Sequence, residues 1–295
     1  MKEIRADRIF NVCNMAFLVF CLLITLYPLW YILVCSFSSA AEVVAGNVTL
    51  WPIGFNTDAY EAAFESKQLI VGFRNSLIYT VVGTLFNLVV TFMAAYPLSR
   101  SDFKARGVIT ALFAFTMMFN GGMIPSYLLV KDLKMLDTIW ALVIPGALSV
   151  WNVILIRTFI QNSIPGDLLE AAQLDGCRDG QYLIKIVLPL SGPIIAVMVL
   201  FFAVGHWNSY FNALMYISKS DLYPLQIILR NILIQNQFDP SMMKNVDPRE
   251  LMRQQNLRDL LKYSLIVIAS VPVLAIYPFV QKYFIKGVMI GALKG

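Results

Sequence analysis

Charge is what this chain of 295 residues has least of: 14% of its residues are charged, 58% are hydrophobic, and the mean hydropathy is +0.68. Ordinary soluble domains carry about 25% charged and about 45–50% apolar residues. Over half of any folded exterior is already apolar, so a compact soluble fold of this length cannot hide the surplus. A soluble enzyme is set aside on that ground, and lipid is the remaining solvent. Histidine and cysteine are scarce as well. His206 is the single histidine, and Cys13, Cys21, Cys35 and Cys177 show no paired spacing, so neither a metal site nor a disulfide framework is indicated. The 23 Lys+Arg exceed the 18 Asp+Glu for a formal +5, yet there is no basic run with a stacking platform beside it, which argues against nucleic acid as a partner. No G-x-x-x-x-G-K-[ST] phosphate loop, HExxH or G-x-S-x-G elbow occurs, and Gly121-Gly122 lacks the lysine such a phosphate loop needs.

What the chain does have is long apolar runs. A helix needs about 20 apolar residues to cross roughly 30 Å of hydrocarbon. Six stretches qualify: 10–37, 75–97, 107–130, 138–156, 188–217 and 263–280, none containing Asp, Glu, Lys or Arg. The runs are continuously apolar, not alternating with period two, which predicts an all-α polytopic membrane protein of six transmembrane helices and not a barrel. The first run is too long for a signal-peptide core and is expected to be retained. Lysine and arginine placement puts the N-terminus inside, with Lys2, Arg5, Arg8, Arg100, Lys104, Arg106, Arg157, Arg178, Lys185, Lys282, Lys286 and Lys294 on the cytoplasmic side. An even number of spans returns the C-terminus to that side. The third outer loop breaks the pattern with Lys219, Arg230, Lys244, Arg249, Arg253, Arg258 and Lys262; within it, 247–262 reads as a solvated amphipathic helix. In the first outer loop, Trp51-Pro52-Ile53-Gly54 reads as a turn and Asn56-Thr57-Asp58 as a helix start, with aromatics suited to lipid headgroups.

The spans also lack buried acids and bases. Ion-coupled transporters usually place such groups at mid-membrane, so their absence predicts an uncharged solute and energy supplied by another chain. The polar segment 161–187 between the fourth and fifth runs is the place for that chain to act. Asp167 followed three residues later by Glu170 reads as a capping box opening a short helix. Ala171 and Ala172 keep one face small for close approach, Gly176 suits the helix end, and a second amphipathic piece over 181–187 leads into Pro189.

E-A-A-x-x-x-G, nine residues and then I-x-L-P resembles the EAA loop of bacterial ABC-importer permeases. Glu170, Ala171, Ala172, Gly176, Ile186, Leu188 and Pro189 match it, and Asp175 resembles the carbohydrate-uptake branch. The whole chain is similar to the maltose-type permease subunit that ends in a short tail, here 286–295, and especially to the oligosaccharide importers. The resemblance implies one permease domain over 1–295 with its coupling loop at 161–187, in a bacterial cell membrane. It implies that Glu170, Ala171, Ala172, Asp175 and Gly176 form the element socketed in a separate ATPase, which binds ATP and Mg. It also implies a homologous second permease, two ATPase domains and an extracytoplasmic solute-binding protein as partners. No catalysis and no cofactor are expected in this chain.

For the solute path, His206, Trp207, Asn208, Tyr210 and Asn212 make an unusually polar and aromatic patch for a membrane helix. Amide and imidazole groups can hydrogen-bond sugar hydroxyls while aromatic faces cover C–H surfaces. Asn120, Trp151 and Asn152 are further candidates. The alternative reading of all of them is interhelical glue. Two rival functions stay open on sequence alone: an intramembrane enzyme using His206, and a passive solute channel.

Overall fold

The computed structural model describes residues 5–119, 121–235, 259–278 and 281, and the regular structure among them is helical, without strands. The described chain falls into two compact units: Met1–Lys67 with Leu229–Val271, and Gln68–Ile228 with Pro272–Gly295.

In the first unit, α1 (Arg5–Ser36) is an almost uninterrupted apolar helix. Its large side chains from Ile9 to Leu29 are exposed, Phe10 to 68%. That surface is stable only against other apolar matter, and the helix is long and apolar enough to cross a membrane. The chain beyond α1 folds back on the helix end. Ser39 N–H donates to Ile53 O at 2.9 Å, and Asn56 N–H to Phe37 O at 2.9 Å. The Phe37 ring stacks on Phe55 and Tyr60, and Tyr60 Oη donates to Ser36 Oγ at 2.7 Å. Gly54 turns at φ +65°, as the Trp51–Gly54 pattern predicts. After the short α2 (Ala40–Val44), α3 (Asp58–Glu65) begins where Asn56 Oδ1 accepts the Asp58 N–H at 2.6 Å, the Asx-type start expected from sequence.

The second unit is organised by α4 (Lys67–Ser99). It is followed by α5 (Arg106–Met118), α6 (Met123–Asp132), the single turn α7 (Trp140–Val143), α8 (Val150–Ser163) and α9 (Asp167–Leu174). Next come α10 (Asp179–Leu190), α11 (Gly192–Trp207), α12 (Phe211–Tyr216) and α13 (Leu225–Gln235), which runs to the unit boundary and beyond; α14 (Asp259–Pro278) also crosses it. The core beneath the 161–187 loop joins Phe92, Ala95, Tyr96 and Leu98 of α4 to Val153, Ile156 and Ile160 of α8, Ala172 of α9, Tyr182 and Val187 of α10, and Met198 and Phe202 of α11.

Among the described residues three helices are long and apolar enough to cross a membrane, or five if each bent pair is one span. The difference from six lies in the breaks. The third expected run divides into α5 and α6, bent by 114°. The fourth is not one helix: Pro145-Gly146 lies between α7 and α8, and α8 continues past 156 to Ser163. In the fifth, α10 widens into a π-turn over Leu183–Val187, where the Leu188 N–H reaches back five residues to the Leu183 carbonyl, just before Pro189; α11 then leaves at 83°. The sixth is α14. Most of the predicted 247–262 helix and all of the 286–295 tail lie outside the described residues.

Polar side chains tie α4 to the segment before α13. Asn75 Nδ2 donates to the carbonyls of Asp221 (2.8 Å) and Tyr223 (3.1 Å), Tyr79 Oη donates to Leu222 O (2.9 Å), and Ser76 Oγ accepts the Leu225 N–H (2.8 Å). Each such bond inside an apolar bundle contributes up to about 1–2 kcal/mol. Asn75→Leu removes two of them and orphans two carbonyls. A fall in the Tm of the detergent-purified protein is expected, whereas Leu77→Ala, at an exposed position of the same helix, should shift it less.

Candidate functional site

One face of α4 is polar along most of its length. Asn75, Ser76, Tyr79, Thr80, Gly83, Thr84, Asn87 and Thr91 recur at spacings of three and four, which stacks them in a single stripe, and all are buried. The stripe changes character along the helix. At the Asn75 end, the polar groups are satisfied by the 221–225 backbone as described. In the middle, Thr80 Oγ1, Thr84 Oγ1 and Asn87 Oδ1 are buried without a hydrogen-bond partner in the chain. His206 of α11 lies against this section: a Cβ on Gly83 would fall on the imidazole ring, so only glycine admits it, and His206 Nε2 is buried against the Gly83 backbone. Asn87 Nδ2 reaches Gly146 O at 3.4 Å, in the break between α7 and α8, and Thr91 Oγ1 donates back to Asn87 O at 2.5 Å.

A buried polar group left unpaired costs about 1–3 kcal/mol. Three of them gathered on one stretch of α4, with the His206 imidazole beside them, form a concentration of hydrogen-bonding capacity that the fold itself does not consume. Chemically the set is neutral: two hydroxyls, an amide oxygen and an imidazole nitrogen. That is a surface for hydroxyl and amide groups. Among the described residues, no group of three or more His, Cys, Asp or Glu is placed to hold a metal.

The sequence-predicted patch is only partly assembled. α11 ends at Trp207, so His206 and Trp207 belong to one helix while Tyr210 and Asn212 belong to the start of the next. Trp207 is 3% exposed and meets Phe73 edge-on at 5.5 Å, which makes it packing against α4. Asn208 caps α11 and is exposed; Tyr210 is also exposed and Asn212 is half-buried. Asn152 is buried on α8, Trp151 beside it is exposed, and Asn120 lies outside the described residues. The α4 stripe itself was not anticipated. Its signal, small and polar residues at helical spacing inside an apolar run, is present in the sequence, but a search for ionisable groups passes over hydroxyls and amides.

The 161–187 loop rises from the core as two short helices. The predicted capping box is not formed. Gly166 is the N-cap of α9, Asp167 is already its first helical residue, and no side chain caps it. The C-terminus follows expectation: Gly176 takes φ +73°, Cys177 N–H donates to Ala172 O (2.9 Å) and Gly176 N–H to Gln173 O (3.0 Å), a Schellman ending. Glu170, Ala171, Asp175 and Gly176 are exposed, as is Leu174 at 89%. Ala172 is turned the other way and is 6% exposed, packed in the chain's own core. The two alanines therefore serve different surfaces, one outward and one inward.

Comparison with known proteins agrees with this architecture. Residues 77–290 match the family described as binding-protein-dependent transport system inner membrane component. The chain is 42% identical over 298 residues to Protein LplC of Bacillus subtilis, covering 100% of this chain and 98% of that one. It is 39% identical to the polygalacturonan/rhamnogalacturonan transport system permease protein YtcP of the same organism, with 98% and 99% covered. It superposes with a TM-score of 0.85 and 34% identity on a chain from the crystal structure of a bacterial ABC transporter involved in the import of the acidic polysaccharide alginate, covering 96% of this chain and 99% of that one. The match to the family model over most of the sequence, the multi-pass apolar helices and the exposed EAA helix agree, and the chain belongs to the binding-protein-dependent inner membrane components, as a membrane permease of the ABC-importer kind and not as a catalytic subunit.

Proposed function

We propose that this chain is one of two permease subunits of an ATP-driven importer of a sugar or oligosaccharide. It works with a homologous second permease, two ATPase domains that carry ATP and Mg, and an extracytoplasmic solute-binding protein. Both termini lie in the cytoplasm, as does the 161–187 loop. The relatives support the substrate class: YtcP is a polygalacturonan/rhamnogalacturonan transport system permease protein, and the structural neighbour belongs to an alginate importer. Alginate is acidic, so the expectation of an uncharged solute is not carried into this proposal.

Two roles divide the chain. Glu170, Ala171, Asp175 and Gly176 form the face that enters a groove of the ATPase, and Ala172 anchors that face from inside. The middle of the α4 stripe (Thr80, Thr84, Asn87) with His206 lines the solute route; Trp151, Asn152, Trp207, Asn208, Tyr210 and Asn212 are flanking positions. The observation that carries the reading is α9 itself, a short helix with its acidic edge exposed and its opposite edge, Ala172, built into the α4–α8–α11 core. Such an element moves the spans when it is moved. ATP-driven closure of the ATPases biases a two-state equilibrium between inward- and outward-facing spans.

Glu170→Arg reverses the charge of an exposed position and leaves the core intact. The ATPase is expected to be lost on co-purification, and uptake of labelled oligosaccharide by cells with it; unchanged association and uptake would refute the docking role. Gly83→Val drives a side chain into the His206 ring, and Thr84→Val removes an unpartnered hydroxyl at constant shape. Both are expected to lower uptake while the ATPase still co-purifies, Thr84→Val without loss of Tm. Uptake that persists after the ATPase is removed would instead favour a passive channel.

A further inference from the structure

α4 ends in a charge cluster that the transport reading leaves unassigned. Arg100 follows the last residue of α4, and its side chain is 10% exposed. Its guanidinium forks onto Asp102, Nε to Oδ1 at 2.9 Å and Nη2 to Oδ2 at 2.6 Å. The remaining Nη1 donates both to Tyr96 Oη at 2.9 Å and to Asp179 Oδ1 at 2.9 Å. The Tyr96 hydroxyl in turn donates to Asp179 O at 3.5 Å, and its ring lies 6.4 Å from that of Tyr182. The guanidinium holds the Asp102 carboxyl below its usual range, so that fork stays ionised at neutral pH.

The backbone at this point is held just as closely. A helix leaves its last carbonyls without intrahelical donors. Here Arg157 Nε of α8 donates to Leu98 O (3.1 Å), Gln161 Nε2 to Ser99 O (3.2 Å), and Arg106 Nη1 of α5 to Arg100 O (3.2 Å). Arg100 is thus a cation at the C-terminus of α4, and Asp179 an anion in the first turn of α10, each favourable to its helix dipole.

Static stability does not explain the arrangement. The carboxylates of Asp102 and Asp179 are 58% and 75% exposed, and pairs so open to solvent contribute about 0–1 kcal/mol. What the cluster fixes is geometry. Asp102 holds a nearly buried guanidinium in one orientation, so its free nitrogen points at the loop. From Asp179 the chain runs through the π-turn and the 83° bend into α11, which delivers His206 to Gly83. Gly83 lies about 25 Å back along α4 at the helical rise of about 1.5 Å per residue. The arm formed by α10 and α11 therefore touches α4 at two distant points, Asp179 on Arg100 and His206 on Gly83.

The geometry points to Arg100 as a positioning residue that passes displacement of the 161–187 loop to α4, through Asp179, with Asp102 orienting the guanidinium. The inference rests on the reading of that loop as the ATPase-docking element. When α9 and α10 move as a body, the Asp179 carboxylate carries the end of α4 with them, and the unpartnered stretch of the stripe moves relative to His206. Without the link, the loop can still dock and the ATPase can still turn over, but the spans do not follow.

The test uses the full complex with its second permease and ATPases in nanodiscs. The native cysteines are replaced by serine, and the nearly isosteric Thr84→Cys serves as reporter. The labelling rate by a membrane-impermeant maleimide is compared without nucleotide and after trapping with ATP and vanadate. In the parent complex the rate responds to trapping. Arg100→Gln and Asp179→Ala, which removes the acceptor for the Arg100 Nη1 bond, should each retain ATPase co-purification and ATP hydrolysis, while the trapping response shrinks about fivefold or more, the range of a typical site-to-site coupling. Asp102→Asn should lose less, since the bond to Asp179 remains. A purely structural cluster gives a different pattern, in which Arg100→Gln and Asp102→Asn lower Tm and assembly together and any assembled complex responds normally. Should Arg100→Gln fail to assemble, Asp179→Ala, which removes an exposed carboxylate, decides alone. A response within about twofold of the parent in Asp179→Ala overturns the inference. A parent complex that ignores nucleotide, together with a Glu170→Arg variant that still binds ATPase, overturns the docking reading and this link with it.

Discussion

The polar face of α4 has to find partners inside an apolar bundle, and that requirement determines much of what surrounds it. Hydrocarbon offers neither donors nor acceptors, so Asn75, Ser76 and Tyr79 draw the 221–225 backbone onto the helix. Asn87 reaches the carbonyl of Gly146 at the α7–α8 break, and Gly83 makes room for His206. Where these partners run out, in the section from Thr80 to Asn87, hydrogen-bonding capacity is left over. The same stripe is cement at one end and unsatisfied in the middle, because the supply of backbone groups changes along it.

The second organising feature is the apolar cluster under the 161–187 loop. Loops on a protein surface are usually free to adjust, but here Ala172, Tyr182 and Val187 are buried among side chains of α4, α8 and α11. A displacement applied to the exposed Glu170 edge cannot be absorbed locally, since close-packed interiors transmit strain. Arg100 adds a polar link at the rim of the same cluster. Its position, at the meeting of a helix C-terminus, a helix N-terminus and two side chains capping the last α4 carbonyls, gives the second unit one rigid corner.

Much of this was legible beforehand. The membrane class follows from composition, because apolar area on that scale has no other solvent, and α1, α4 and α14 follow from run length. The EAA loop was legible because fixed spacing of small residues, glycine and proline encodes a helix, its stop and a bend; Gly176 and Pro189 act as those residue types require. The opening of α9 differs, since Asp167 with Glu170 satisfies the spacing of a capping box, yet Gly166 is the N-cap and Asp167 is already the first helical residue. The fourth and fifth spans were drawn too straight. Hydropathy averages over a window and does not register the breaks at Pro145-Gly146 or after Trp207.

Sequence alone determined the solvent, the long helices and the location of the EAA motif, because each depends on local composition or on spacing along one helix. Only the tertiary structure decided which alanine of the motif faces inward, that Trp207 packs on Phe73 while His206 meets Gly83, and that Arg100 joins Asp179. Those pairings link residues far apart in the chain, and no periodicity records them; they arise when helices pack and each buried polar group must take whatever partner the neighbouring helix presents.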